Sequence, residues 1–317
     1  MSGHLLEAEG LVKRYTARVG WKKRPLLAVD GVSLRVDAGE TLGLVGESGC
    51  GKSTLGRLLL HLEAPSAGEV FFDGQRVDKE SVRALRRSMQ MVFQDANAAL
   101  DPRLTILESV AEGLDIHHLC KTRAERRERV AALMERVGLE PAWMERFPHE
   151  LSGGQRQRVG IARALAVEPR FLVCDEPVSA LDVSARAQVL ELLMSLQRDL
   201  GLGCLFIAHD LAAVRQLSDR LAVMYLGRVV ETGPAEEVLS RPLHPYTRML
   251  IASAPVPDPR AAKAHALSGV RGEPPSALDA PIGCPFAPRC PRKADACAHS
   301  RPELRGASGH FAACHRL

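Results

Sequence analysis

Long apolar stretches are missing from this chain. Hydrophobic residues make up 46% of its 317 positions, but they are scattered, and Leu221 to Leu226 is typical of the longest run. A membrane-spanning helix needs about 20 consecutive apolar residues, so we expect none here. Met1 to His4 do not begin a basic region followed by an apolar stretch, which argues against a secretory signal.

Aromatic residues are also scarce, at 4% of the chain. The core must therefore consist mostly of Leu, Val and Ala. The charged residues nearly balance, with 42 Lys and Arg against 38 Asp and Glu, which leaves a net charge of +4. Such a weak basic excess is compatible with work beside an anionic membrane face, but it is too small to indicate a nucleic-acid partner.

A glycine-rich loop stands out among the local motifs. It follows a short apolar run, Thr41 to Val45, that is typical of a buried parallel strand, and it leads into a predicted helix, Lys52 to His61. This strand–loop–helix context fits the phosphate-binding pattern G-x-x-x-x-G-K-[ST] rather than an ordinary glycine turn. The predicted phosphate-binding residues are Gly46, Glu47, Ser48, Gly49, Cys50, Gly51, Lys52, Ser53 and Thr54. Lys52 should reach the β- and γ-phosphates, and the Ser53 hydroxyl should bind Mg²⁺.

Two further apolar runs end in polar side chains. The run from Phe171 to Cys174 is followed by Asp175 and Glu176. Asp175 is placed to hold Mg²⁺, and Glu176 to polarise a water for attack on the γ-phosphate. The run from Cys204 to Ala208 delivers His209 to the same edge of the predicted sheet. In isolation such residues are usually solvated turn residues, but the upstream phosphate loop favours catalytic roles and, for His209, a γ-phosphate sensor.

A second candidate anion site lies about a hundred residues downstream of the first. Its residues are Leu151, Ser152, Gly153, Gly154 and Gln155, and a predicted helix from Arg156 to Val167 follows them. Ser152 is a good N-cap, and the glycines expose the N–H groups of the first turn. A single nucleotide site does not need this second anion site.

These motifs, in this order, resemble the ATP-binding subunits of ATP-binding-cassette (ABC) transporters. The resemblance implies two subunits packed head to tail, with each signature (residues 151–155) capping the ATP held by the other subunit's phosphate loop. It also implies Q-loop, D-loop and adenine-stacking roles, which would fall to Gln94, Asp182 and Tyr15. Gln94 would contact Mg²⁺ and face the membrane subunits. The implied fold class is α/β, a P-loop NTPase with a RecA-like parallel sheet core, an antiparallel β edge and an inserted helical subdomain.

The chain divides into two predicted domains. Residues 1–240 would form the nucleotide-binding domain, with a helical subdomain at about 95–156, and residues 241–317 a cysteine-containing extension. Thr122 to Glu125 predict a capping box at the start of an amphipathic helix, whose dense Arg and Glu favour a solvated face over a binding surface. From Arg241 onward, frequent prolines are expected to break any regular structure.

The extension resembles that of dipeptide and oligopeptide importer ATPases, through His244 to Thr247 and Ala252 to Pro255. Within that family the chain most resembles the dipeptide importer subunit whose partner is a second, similar ATPase. The implied assembly is a heterodimer of ATPases with two transmembrane permease subunits and an extracytoplasmic solute-binding protein, and without nucleic acid. The implied location is peripheral, on the cytoplasmic face of the inner membrane. Nickel and other small-solute importers share this kind of tail, so they remain an alternative.

Half of the eight cysteines lie in the extension, at Cys284, Cys290, Cys297 and Cys314. Without a secretory signal, metal binding is favoured over disulfides, and the spacing lacks the paired C-x-x-C of most zinc sites. Four thiolates suit an iron–sulfur cluster. The resemblance points to [4Fe–4S], while zinc and unligated or disulfide-bonded thiols stay open. Substitute ligands could come from His299, His310 and His315. Because these cysteines lie far in sequence from the nucleotide motifs, a cluster there is expected to be structural or redox-sensing rather than catalytic.

Two other function classes compete with transport. Soluble ABC proteins of the ribosome usually carry two cassettes, whereas this chain has one, and those of DNA repair insert long coiled coils between the phosphate loop and the signature. The roughly 100 residues here are too few for such an insertion. A non-hydrolysing regulatory subunit is disfavoured because Glu176, His209 and Ser152 are all present.

Overall fold

The structure is a computed structural model, described here for residues 3–253, 275, 276, 278 and 281–317. These residues form two compact units. The first unit comprises residues 3–6, 36–40 and 72–206, and the second comprises residues 7–35, 41–71 and the described part of 207–317. No helix in these ranges is long and apolar enough to cross a membrane.

The first unit contains strands of two sheets and, among the described residues, six helices. Its strands are β5 (Gln75–Arg76), β6 (Met89–Val92), β7 (Phe171–Asp175) and β8 (Gly203–Ile207), with β7 between β6 and β8. Strands β6 and β7 run parallel, with Met89 opposite Phe171. The helices are α2 (Val82–Leu85), α3 (Ala96–Ala99), α4 (Ile106–Ile116), α5 (Arg123–Arg136), α6 (Gly153–Leu165) and α7 (Val183–Leu200), with 3₁₀ turns at Pro141–Glu145 and Pro148–Glu150. The predicted helical insertion is therefore present between β6 and β7.

The second unit contains a mixed sheet and an antiparallel sheet. Its strands are β1 (Leu6–Val19), β2 (Lys22–Val36), β3 (Thr41–Val45), β4 (Ala67–Phe72), β9 (Arg220–Tyr225), β10 (Arg228–Pro234), β11 (Arg305–Ala307) and β12 (His310–Ala312). One sheet has the order β2-β1-β4, and the other has the order β11-β12-β10-β9-β3. Strand β3 runs parallel to β9, whereas β10 is antiparallel to both β9 and β12. The helices are α1 (Lys52–Leu59), α8 (Leu211–Leu217), α9 (Ala235–Ser240), α10 (Pro245–Ala252) and α11 (Ala296–His299).

The three apolar runs of the sequence are buried strands, as predicted. Every residue of β3, β7 and β8 is buried. Parallel strands covered on both faces need such continuous apolar runs, because neither face alternates toward water. Polar residues that follow these strands are therefore presented at the strand ends.

The capping box predicted at the start of α5 is only half formed. Thr122 caps α5 by accepting from the N–H of Glu125 at 3.1 Å, but the Glu125 carboxylate accepts from Lys121, so only half of the predicted capping box forms. By contrast, Thr105 and Glu108 form a complete capping box at the start of α4.

The prolines after Arg241 do not abolish regular structure. Pro245 occupies the first turn of α10, where its missing N–H costs nothing and its fixed φ favours the helix. Farther along, α11, β11 and β12 fold within residues 296–312. Pro255, Pro257, Pro259 and Pro274 lie outside the described residues.

Candidate functional site

The glycine-rich loop is a tight backbone cradle in the second unit. Gly51, at the N-cap of α1, has a φ of 107°, and a Cβ there would lie 2.1 Å from the carbonyl oxygen of Ala28. Only glycine tolerates both the dihedral and the approach. The carbonyl of Cys50 accepts from the N–H of Gly227 at 2.9 Å, which ties the loop to the β9–β10 turn. The loop thus leads from β3 into the positive N-terminus of α1, where anions are favoured.

Lys52 lies inside this loop. Its side chain is buried, and Nζ donates to the carbonyl oxygens of Gly46 at 2.8 Å and Glu47 at 3.1 Å. Ser53 and Thr54 follow in the first turn of α1, while Ser48 and Gly49 are exposed at the tip. Burial raises the pKa of the Cys50 thiol, so this cysteine behaves as a packed apolar side chain. This arrangement positions the Lys52 ammonium inside the loop, where it can bind phosphate oxygens.

Tyr15 lies beside the start of α1. Its hydroxyl donates to the Glu63 carboxylate and also hydrogen-bonds the Thr54 side chain. Burial, followed by the Glu63 contact, raises the pKa of Tyr15. The Lys13 ammonium sits 5.2 Å from the ring centroid. The structure thus brings Tyr15 to the phosphate loop, and its stacking on adenine stays a prediction.

Glu47 has partners that sequence reasoning missed. Its carboxylate accepts two hydrogen bonds from the buried guanidinium of Arg289, at 2.8 and 2.9 Å, and its backbone N–H donates to the Tyr246 hydroxyl at 2.8 Å. The carboxylate raises the pKa of Arg289 above its ordinary value. These contacts bring the tail, which is far from the phosphate loop in sequence, next to that loop in space. No local signal in the sequence marks an ion pair between residues 242 positions apart.

The predicted catalytic carboxylates lie in the first unit. Asp175 ends β7 and is buried, and Glu176 follows it with a φ of 45°. Gln94 Nε2 donates to Glu176 Oε2 at 3.0 Å, so the structure brings these two predicted residues together. The neighbouring Phe93 carbonyl accepts from Gln157 of α6 at 3.3 Å, which anchors the Q-loop. The amide predicted for the Q-loop and the carboxylate predicted to polarise water are therefore in direct contact.

The signature residues form a complete capping box. Ser152 Oγ accepts from the Gln155 N–H at 3.3 Å, and Gln155 Oε1 accepts from the Ser152 N–H at 2.8 Å. The predicted N-cap is confirmed, although α6 begins at Gly153 rather than at Arg156. A Cβ on Gly154 would lie 3.1 Å from Cβ of Ala185, so the signature packs against the start of α7. Leu151 is buried, and Ser152 and Gly153 are exposed.

Asp182 of the D-loop is the N-cap of α7. Its carboxylate accepts from the Ala185 N–H at 2.9 Å and from the Ser184 hydroxyl at 2.7 Å. These bonds hold the pKa of Asp182 below its ordinary value. His209, in the second unit, is exposed and precedes α8, whose cap Asp210 accepts from the Ala212 N–H at 2.9 Å.

The four tail cysteines are free thiols. Burial, with smaller contributions from the thiols of Cys297, Cys290 and Cys314, raises the pKa of Cys284 to about 11. The Cys284 N–H donates to the Cys297 carbonyl at 2.9 Å. Nowhere in the described ranges are three or more His, Cys, Asp or Glu side chains arranged as a metal site, so the geometry does not support the predicted [4Fe–4S] cluster.

The histidines named as substitute ligands have other neighbours. His310 Nε2 bonds Glu231 Oε1 at 2.7 Å, in a buried pair between β12 and β10. His315 Nε2 lies 3.0 Å from the Ser300 carbonyl oxygen. His299 is exposed at the end of α11.

Comparison with known proteins places the chain in a family. The ABC transporter family profile matches residues 29–179, and that of the oligopeptide/dipeptide transporter C-terminal region matches residues 230–297. The oligopeptide transport ATP-binding protein OppF of Escherichia coli (strain K12) is 50% identical, over 98% of this chain and 95% of its own length. The chain belongs to the family of ABC-transporter ATP-binding subunits.

Other relatives agree with this family. OppF of Salmonella typhimurium is 48% identical over 98% of this chain and 95% of its own length. The dimeric ATP-binding cassette MJ0796, in a post-hydrolysis state bound to ADP and Pi, matches with a TM-score of 0.65 and 31% identity, over 73% of this chain and 98% of its own. This ABC subunit is therefore an ATPase with the predicted α/β cassette fold, and ATP with Mg²⁺ fits its motifs.

Proposed function

We propose that this ABC ATPase powers the import of oligopeptides or dipeptides across a membrane. The observation that carries the proposal is the match of residues 230–297 to the oligopeptide/dipeptide transporter C-terminal region. The relatives named as oligopeptide transport ATP-binding proteins extend over nearly the whole chain, which supports the same substrate class. Nickel or another small solute is the alternative cargo.

The site residues take the following roles in this proposal. Lys52 binds the β- and γ-phosphates, Ser53 and Asp175 hold Mg²⁺, and Glu176 polarises the attacking water with Gln94 beside it. His209 senses the γ-phosphate. The exposed first turn of α6, capped by Ser152, binds the ATP held by another ATPase subunit. When bound by Ser53 and Asp175, Mg²⁺ would supply positive charge next to the phosphate oxygens. The chain's own residues orient the reactants.

The proposed assembly has two ATPase subunits, two transmembrane permease subunits and an extracytoplasmic solute-binding protein. We place the ATPase at the cytoplasmic face of the membrane, as a peripheral subunit paired with a second, similar ATPase. The support is the family membership together with the exposure of Ser152 and Asp182, which leaves the signature and the D-loop accessible to a partner.

Uptake in cells tests the substrate class. In a strain that lacks this chain, we expect uptake of labelled dipeptides and oligopeptides to be lost. The wild-type chain should restore it, whereas Glu176→Gln should not. Loss of nickel uptake with intact peptide uptake would overturn the peptide assignment and leave the ATPase assignment standing.

A second proposal concerns the tail thiols. We propose that Cys284, Cys290, Cys297 and Cys314 hold a metal group, with an iron–sulfur cluster as the predicted one. Its support is that the four thiols belong to one segment of the tail, in which the Cys284 N–H bonds the Cys297 carbonyl at 2.9 Å. Because the side chains are not arranged for coordination as they stand, binding would have to draw them together and release their protons.

Metal analysis after anaerobic purification tests this second proposal. We expect about four iron atoms per chain, lost in Cys290→Ser and kept in Cys120→Ser, which removes a thiol of the first unit. Stoichiometric zinc, or no metal at all, would contradict the assignment of an iron–sulfur cluster.

A further inference from the structure

Glu47 is held in place both by its own loop and by the C-terminal part of the chain. Within the phosphate loop, its carbonyl oxygen accepts from Lys52 Nζ at 3.1 Å and from the Cys50 N–H at 3.3 Å. From the C-terminal part, Arg289 donates twice to the carboxylate, and the Tyr246 hydroxyl accepts from the backbone N–H. The second residue of the loop is therefore fixed by residues about 200 to 240 positions away in sequence.

Arg289 stands on a rigid turn. The turn is closed by backbone hydrogen bonds from Ala287 N–H to the Cys284 carbonyl at 3.0 Å, and from Arg289 N–H to the Phe286 carbonyl at 3.0 Å. The Cys290 N–H makes a longer contact to the Ala287 carbonyl, at 3.5 Å. The backbone from which the Arg289 side chain extends is therefore fixed by hydrogen bonds.

An aromatic cluster anchors this turn under the loop. Phe286 is 1% exposed, and its ring centroid lies 5.4 Å from Tyr225, 5.5 Å from Tyr246 and 5.7 Å from His244. The chain has only three tyrosines, and two of them are in this cluster. Tilted and edge-on aromatic pairs of this kind stabilise beyond their buried area. Two of the three tyrosines thus lie where the tail meets the phosphate loop.

The ion pair is largely removed from water. The Arg289 side chain is 3% exposed and that of Glu47 is 24% exposed. A bidentate guanidinium–carboxylate pair fixes orientation as well as distance. Loss of the guanidinium would leave the Glu47 carboxylate without its partner in a half-buried position, and the loop would have to move to hydrate it.

We propose that Arg289 is a positioning residue for ATP binding, because through Glu47 it holds the phosphate loop in its cradle conformation. The N–H groups of the loop must converge before they can bind phosphates. Any freedom left in the loop must be removed when ATP binds, which weakens affinity. Lys52 donates to the carbonyls of Gly46 and Glu47, so the same contact also sets where the ammonium lies.

The proposal predicts a separation of binding from turnover. Arg289 acts on the loop through its hydrogen bonds to the Glu47 carboxylate, and bound ATP would itself hold the loop. Arg289→Ala should therefore raise the KM for ATP of the assembled transporter about ten-fold, and should weaken ATP binding by the full-length chain to the same extent. The kcat at saturating ATP should stay within about two-fold of wild type.

Two variants make the test specific. Arg292→Ala is the matched control, since Arg292 is an exposed arginine of the same segment whose guanidinium contacts the Arg316 carbonyl at 3.4 Å. Its KM should equal that of wild type. Arg289→Lys keeps the charge but loses the bidentate geometry, so it should recover part of the affinity.

A double-mutant cycle links the effect to Glu47. Arg289→Ala combined with Glu47→Gln should bind ATP no worse than the weaker single variant, because both changes remove one interaction. Tyr246→Phe keeps the aromatic ring and removes the acceptor for the Glu47 N–H. Tyr246→Phe should raise the KM for ATP by a smaller factor than Arg289→Ala. If Arg289→Ala does not fold, Tyr246→Phe provides the test of the proposal in its place.

Clear outcomes would overturn the proposal. They are a folded Arg289→Ala protein with wild-type ATP affinity, or additive effects of Arg289→Ala and Glu47→Gln. A lowered thermal midpoint with an unchanged KM would likewise show that Arg289 only stabilises the fold.

Discussion

Glu176 shows how the surroundings of a single residue set its conformation. It follows a buried strand and adopts a φ of 45°, a left-handed conformation that costs a non-glycine residue about 1 kcal/mol or more. The turn after it is closed by Ser179, whose N–H and hydroxyl both bond the Glu176 carbonyl, at 3.2 and 3.0 Å. Gln94 donates a hydrogen bond to the Glu176 carboxylate, so a protein contact helps to set the orientation of this side chain.

The variant Glu176→Gln should bind ATP normally and hydrolyse it about 10²- to 10⁴-fold more slowly. The amide keeps the shape and the Gln94 contact, but it cannot take a proton from water. Turnover and ATP affinity, measured in the assembled transporter, check this. Glu168→Gln is a fair control, because Glu168 is exposed and also has a positive φ, of 54°. Wild-type turnover in Glu176→Gln would remove the residue from the catalytic role.

At the scale of elements, polar contacts hold α10 in place within the second unit. His244 caps it, with Nδ1 accepting from the Tyr246 N–H at 3.0 Å. The buried Glu231 carboxylate accepts from the N–H groups of Leu243 and His244, at 2.7 and 2.8 Å. Burial lowers the pKa of His244 to about 4, so the ring is neutral in the folded protein. A protonated Nδ1 could not accept the capping bond.

This lowered pKa predicts acid destabilisation. Above about pH 6.5 His244 is neutral in both the folded and the unfolded chain and adds no pH dependence. Below it, the unfolded chain takes up a proton that the folded protein excludes down to about pH 4. His244 alone should therefore reduce the free energy of unfolding by about 1.4 kcal/mol per pH unit in that window.

Denaturation of wild type and His244→Asn between about pH 7 and about pH 5 measures the effect. Asparagine is a good N-cap that does not titrate, so His244→Asn should lose less stability with falling pH. His299→Asn, at an exposed histidine of the tail, should behave like wild type. Identical pH dependence in wild type and His244→Asn would show that His244 is not the titrating group.

At the scale of the whole molecule, the chain carries two helix N-termini suited to anions. Lys52 begins α1 in the second unit, and Ser152 caps α6 in the first. In the proposed head-to-tail pair, the phosphate loop of one ATPase and the signature of the other serve the same ATP. Substitution of Lys52 should then impair ATP binding by the isolated chain, whereas substitution of Ser152 should impair turnover in the assembled transporter.

Lys52→Ala should weaken nucleotide binding by the isolated chain, since the ammonium acts within one subunit. Ser152→Ala should leave that binding nearly intact and abolish turnover in the assembled transporter. Ser195→Ala, on the exposed face of α7, should change neither property. Equal losses of ATP affinity for Lys52→Ala and Ser152→Ala in the isolated chain would refute the shared site.

The local features of this protein were predictable from its sequence. The apolar runs gave the bounds of β3 and, within a residue, of β7 and β8, because strands covered on both faces must be continuously apolar. The cap at Ser152 was predictable for a similar reason, since its hydrogen bonds join residues three positions apart. The order of the motifs then indicated the family and its chemistry.

Only the tertiary structure decided which distant residues meet. Glu47 could pair with any of 42 Lys and Arg side chains, and nothing near it or near Arg289 in sequence marks the choice. The partner is selected by the packing of Phe286, Tyr225 and Tyr246, which brings the tail under the phosphate loop. Backbone patterns are local and can be read along the chain. Long-range ion pairs depend on where the core places the two side chains, and that placement exists only once the chain has folded.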